Sequence, residues 1–109
     1  MDILGKRGKI WGDTETIFSK NNVEIARICI KAGGYCSIHL HEHKYNMFFV
    51  ESGCLNVTIF RHDSGHVIED TTTMRDGDST YVEPGLKHKF HADEDTIAYE
   101  IYWTESMVI

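Results

Sequence analysis

The sequence predicts an all-β domain, either a sandwich or a small barrel. Three observations lead there: apolar and polar residues alternate at period two, Gly-bearing turns recur at short intervals, and helical periodicity is confined at most to the extreme ends. Residues 23–31 are rich in β-branched side chains and stop at Gly33-Gly34, which marks a strand. Residues 35–41 follow as a second strand, with a hairpin as the simplest link. Residues 46–51 read as a strand, Ser52-Gly53 as a tight turn, and residues 54–60 as its antiparallel partner, with Leu55, Val57 and Ile59 on one face. Asp63-Ser64-Gly65 closes the next hairpin into residues 66–74, whose polar Thr71-Thr72-Thr73 run suits a sheet edge. Asp76-Gly77-Asp78 turns into a short strand at 79–83, and Pro84-Gly85 turns into another with His88, Phe90 and Ala92 inward and Lys87, Lys89 and His91 outward. Residues 96–104 form the last strand.

A chain of 109 residues supports one domain, spanning 1–109, and its single proline and lack of repeats mark no boundary. The formal net charge of -6 excludes nucleic acid and anionic membrane as natural partners, since both require concentrated Lys and Arg. A small-molecule ligand is the expectation. Cys29, Cys36 and Cys54 are odd in number and lack CxxC spacing, which predicts reduced thiols in a cytoplasmic setting, used for packing. The first residues contain no apolar stretch of signal-peptide length, and no later run approaches a membrane span.

The chemistry concentrates in His39-Leu40-His41-Glu42-His43 and in a distant His88. On an extended strand, residues two apart share a face, so His39 and His41 present two imidazoles together, and His88 is placed to close the set from a second strand. Parity puts Tyr35 and Ser37 on the histidine face and Cys36, Ile38 and Leu40 on the other. Neutral imidazoles suit a divalent transition metal such as Zn, Fe, Ni or Mn. A further ligand would be either His43, which shares the parity of the other two, or Asn46. Phe48, Phe90 and Tyr99 are expected to line the pocket, with Tyr99 the preferred hydroxyl donor. Glu42, Glu51, Glu83 and Glu100 are candidate carboxylates for proton transfer, each weighed against an ordinary solvated position, and parity sets Glu100 opposite Tyr99. Lys44 and Lys87, beside the histidines, could attract a phosphate or simply solubilise their loops. Trp11 and Trp103 are assigned to packing over the barrel or at a subunit contact.

Two spaced motifs resemble those of the cupin superfamily. The first runs through Gly33, His39, His41, Asn46 and Gly53, and the second through Gly77, Glu83, Gly85, His88 and Ala92. The resemblance implies a cupin double-stranded β-helix, or jelly-roll, barrel, a metal held by histidines of both motifs, and a homodimer. Two positions depart from the pattern: Asn46 stands where the family has a ligand glutamate, and Glu83 stands where it has a proline. Within the superfamily, Lys9-Ile10-Trp11-Gly12, residues 23–34 and Ser37-Ile38-His39-Leu40-His41 resemble the cupin domain of mannose-6-phosphate isomerases. That closer resemblance implies binding or isomerisation of a sugar or sugar phosphate, with Ser37 helping to hold it. The alternatives are a three-histidine iron-dependent dioxygenase, prompted by Asn46, and a non-catalytic ligand-binding or sensing module.

Overall fold

The computed structural model describes residues 5–105, and among them nine strands form: β1 (Gly5–Lys9), β2 (Gly12–Lys20), β3 (Val23–Ile30), β4 (Tyr45–Ser52), β5 (Leu55–Asp63), β6 (His66–Met74), β7 (Ser79–Val82), β8 (Lys87–Ala92) and β9 (Thr96–Trp103). They make an antiparallel six-stranded sheet in the order β1-β2-β3-β9-β4-β7 and a three-stranded sheet in the order β6-β5-β8. The all-β expectation holds. Residues 5–20, which carried no strand assignment from the sequence, form the β1–β2 hairpin at the edge of the larger sheet. The extreme ends at 1–4 and 106–109 lie outside the described residues.

Two expected hairpins do not form. β4 pairs with β9 and β7, whereas β5 pairs with β6 and β8, so Gly53 passes the chain from one sheet to the other. Gly53 has φ 111°, and a Cβ there would lie 2.6 Å from the Asp95 carbonyl oxygen, so the crossover requires glycine. A local hairpin would set Leu55, Val57 and Ile59 beside β4. Crossing sheets sets them against the opposite inner face, where Phe48 and Val50 are fully buried. The β5–β6 hairpin does form, through Ser64 (φ 50°) and Gly65 (φ 81°), a pair of positive φ values that matches the twist of the strands.

Residues 35–41 likewise do not hairpin with β3. They run along the free edge of β8, bridging Tyr35 to His91 and His39 to His88. Four steps along this segment meet three along β8, so the segment carries a bulge that reverses side-chain parity between Tyr35 and His39. Further backbone bonds fix it there, including Cys36 N–H to Phe90 C=O at 3.1 Å and reciprocal bonds between His39 and His88 at 3.0 and 2.9 Å.

The core fills one end of the barrel. Ile28, Ile30, Phe48, Val50, Leu55, Val57, Ile59, Met74, Val82, Phe90, Ala92 and Ala98 are buried and contiguous. Inward positions at the other end of the same strands are polar.

Candidate metal centre

His39 and His41 arrive from the bulged segment, and His88 arrives from β8 directly across from His39. Their ligand nitrogens lie within 4.8 Å of one another, and the ring centroids of His39 and His88 are 4.3 Å apart. The backbone holds them on both sides: Gly85 N–H donates to His41 C=O at 2.8 Å, tying the first segment to the Pro84-Gly85 turn.

Each ring is also set in a particular tautomer. His39 Nδ1 lies 2.9 Å from Ser37 C=O, and His88 Nδ1 lies 2.9 Å from Leu86 C=O. A carbonyl only accepts, so both Nδ1 atoms carry the proton and both Nε2 atoms present lone pairs. His41 Nε2, His88 Nε2 and Asn46 Oδ1 are buried without a hydrogen-bond partner. Buried polar atoms are rarely left so, and a cation bound by Nε2 lone pairs satisfies the imidazoles without rearranging the fold. Burial lowers the pKa of His88 to about 4, the Leu86 carbonyl opposing and His39 and His41 reinforcing the shift. Burial, with His39 and Lys44, lowers His41 as well. Both are neutral at pH 7, the form that coordinates a metal. The residues fit a divalent transition metal.

The other predicted residues separate. His43 is exposed beside Glu42, 3.9 Å away, while Asn46 is fully buried on the inner face of β4. Of the two alternatives, only Asn46 is brought into the interior. The bulge turns Cys36 toward the cavity and leaves Ser37 exposed in a separate surface groove with Trp11 and Tyr35, so Ser37 meets the site only through the carbonyl that orients His39. Phe90 lines the cavity next to His39, whereas Phe48 sits behind it in the core.

Tyr99 and Glu100 exchange their expected places. Tyr99 faces out and donates to Glu51 at 2.8 Å, and Glu100 is buried on the cavity wall. Burial raises the Glu100 pKa, countered by a 2.8 Å hydrogen bond donated by Tyr102 Oη, by the neighbouring His39 ring, by the Asn46 amide and by the positive charge of Lys9. Burial and the neighbouring carboxylate push the Tyr102 hydroxyl up. Glu42 and Glu83 are exposed, as is Lys87, and Lys44 lies over the Tyr102 ring at 5.6 Å. Trp11 packs edge-on against Phe90 at 5.2 Å, and Trp103 stacks on Tyr45 at 5.1 Å. The three cysteines are free.

The cavity beside His39 has a volume of about 260 Å³ and is walled by β1, β2, β3 and β9. A two-layered β barrel with a histidine cluster at its polar end defines the class: a β-barrel domain with a candidate metal site. Residues 26–105 match the family described as Cupin domain, and the chain belongs to that family. Solved structures agree on the fold. KdgF from Halomonas sp. superposes with a TM-score of 0.72 at 15% identity, covering 86% of this chain and 79% of that one. An RmlC-like cupin from Shewanella frigidimarina gives 0.71 at 17% identity over 94% and 86% of the two chains. The Lactobacillus farciminis oxalate decarboxylase in a formate complex gives 0.79 at 18% identity, covering 97% of this chain and 32% of that one. No curated protein matched the sequence. Among the described residues, no helix is long and apolar enough to cross a membrane.

Proposed function

We propose that this cupin binds a divalent transition metal through His39, His41 and His88, with Asn46 as a neutral donor beside them, and uses the site to bind and isomerise a sugar or sugar phosphate. The observation that carries this reading is Glu100, a buried carboxylate on the wall of the histidine cavity. When bound, the metal supplies Lewis-acid polarisation of a carbonyl. Isomerisation needs one more part, a base that takes a proton from the carbon next to that carbonyl and returns it to the carbonyl carbon, while the proton of the hydroxyl on that neighbouring carbon passes to the carbonyl oxygen. Glu100 is that base. Burial raises its proton affinity, and Tyr102 fixes its orientation through the 2.8 Å hydrogen bond.

The test is metal-loaded protein incubated in D₂O with hexoses and hexose 6-phosphates and followed by NMR. Deuterium entering at the carbon next to the carbonyl is expected, and Glu100→Gln abolishes it while metal stays bound. Absence of both exchange and binding for every sugar would refute the assignment. Asn46, in place of a carboxylate ligand, favours a second reading, an iron-dependent dioxygenase with three neutral imidazoles. Oxygen uptake by Fe(II)-loaded protein with thiols or diketones separates that reading, and ligand binding without turnover marks a sensing module.

We also propose a homodimer in the cytoplasm. The outward residues of β9, Ile97, Tyr99, Ile101 and Trp103, are only partly buried, which supports cover by a second copy, and three free thiols support a reducing compartment. Sedimentation of a monomer at all concentrations would rule out the dimer.

A further inference from the structure

The cavity wall has a polarity that the histidine cluster does not explain. Arg7 and Lys9 lie on β1, the edge strand, and Thr14 and Thr16 lie on β2 beside them, with Arg7 paired directly to Thr14. All four line the cavity that reaches His39. The two carboxylates of the same wall, Glu24 and Glu100, sit on β3 and β9, on the far side of β2. Among the described residues no carboxylate comes within ion-pair distance of Arg7 or Lys9. In a chain of net charge -6, Arg7 and Lys9 gather two cations beside hydroxyl donors on one wall, across from Glu24 and Glu100, and the charge of Lys9 is felt by Glu100. Arg presents a fork of donors that matches a planar or tetrahedral oxyanion, and Lys adds a point charge. Lys44 and Lys87, the cations beside the histidines in sequence, do not line this cavity.

We propose that the ligand is a small organic anion, whose carboxylate or phosphate group is held by Arg7, Lys9 and the hydroxyls of Thr14 and Thr16 while its other end lies at the histidine cluster. This rests on the site proposed above and names the ligand class for it. A cavity of about 260 Å³ falls below the roughly 300–1,000 Å³ of clefts that take drug-sized molecules, which limits the guest to a small metabolite. It also divides the labour of the wall, with anion recognition on the β1–β2 hairpin and proton transfer on β9.

The experiment follows backbone amide shifts of metal-free protein titrated with inorganic phosphate and, separately, with acetate, and then repeats both titrations after metal loading. Saturable shifts confined to Arg7, Lys9, Thr14 and Thr16 are expected for at least one anion, and R7Q/K9Q weakens that binding by about tenfold or more through lost charge-assisted hydrogen bonds. Shifts with phosphate alone assign a phosphorylated ligand, and shifts with acetate alone or with both assign a carboxylate or an unselective anion end. No saturable shift with either anion, or unchanged affinity in R7Q/K9Q, overturns the proposal. Because both substitutions are on an exposed edge strand, the unchanged amide spectrum of the variant verifies its fold. Failure to load metal while phosphate or acetate still binds would count against the metal reading alone.

Discussion

The same strands build two unlike ends of one barrel. On β3, β9, β4 and β8 the inward positions at one end are Ile28 and Ile30, Ala98, Phe48 and Val50, and Phe90 and Ala92, while at the other they are Glu24, Glu100 and Tyr102, Asn46, and His88. Moving two or four residues along a strand keeps the face and changes the purpose. The apolar end gains stability by burying hydrocarbon. The polar end gives some of it back, because two imidazole nitrogens and an amide oxygen are taken from water without partners and a carboxylate is buried beside them.

Substitutions at the two ends should therefore fail differently. The largest expected effect on folding is at the apolar end, where Leu55→Ala should cost about 2–5 kcal/mol in denaturant unfolding, with metal stoichiometry unchanged. Equal loss of metal and stability would break the comparison. At the polar end, pH is the lever. The folded-state pKa of His88 is lowered from 6.5 to about 4, so the unfolded chain takes up the proton first as pH falls. Stability of the metal-free protein is then intact above pH 6.5 and declines by up to about 3 kcal/mol by pH 4, with His41 adding in the same direction. A flat profile across that window in urea melts would contradict the burial of the neutral ring.

Glu100 acts with the opposite sign. Its folded-state pKa is raised above 4.5, so the stability it confers is present below that value and lost as pH rises through the folded-state pKa. Glu100→Gln should make metal-free protein more stable than the parent at pH 8, with the gain vanishing toward pH 4. A variant less stable at pH 8 would show that the carboxylate is better paired than its surroundings indicate. The smallest effect is expected at Tyr99→Phe, which removes exposed contacts of the hydroxyl with Glu51 and Arg27 and should stay within about 0.5 kcal/mol, leaving ligand binding unaltered.

These contrasts explain what the sequence could reveal. His88, Phe90 and Ala92 share the inner face as expected because β8 is regular, and spacing alone joined His39, His41 and His88. Alternation puts Ser37 on the histidine face, but a one-residue bulge, invisible to alternation, reverses parity just before His39. Glu100 is among the four candidate carboxylates, but alternation sets it on the face opposite Tyr99, and the outward face of β9, Ile97, Tyr99, Ile101 and Trp103, is the more hydrophobic of the two. Hydrophobicity identifies the face to be covered and says nothing about what covers it, and here the inner face is the one that carries the chemistry. The β1–β2 hairpin escaped notice for a related reason: Lys6, Arg7, Lys9 and the Thr-rich run after Gly12 lack the apolar alternation of a core strand, yet supply the wall of the cavity.

Imidazoles from the bulged segment and β8 converge to hold one cation, which metal analysis reads out. Purified protein dialysed against Zn²⁺ or Fe²⁺ and then desalted should retain one metal per chain, and a His39→Ala/His41→Ala/His88→Ala variant with an unchanged circular dichroism spectrum should retain none. A parent protein that keeps no metal, or a triple variant that keeps it, would contradict the account.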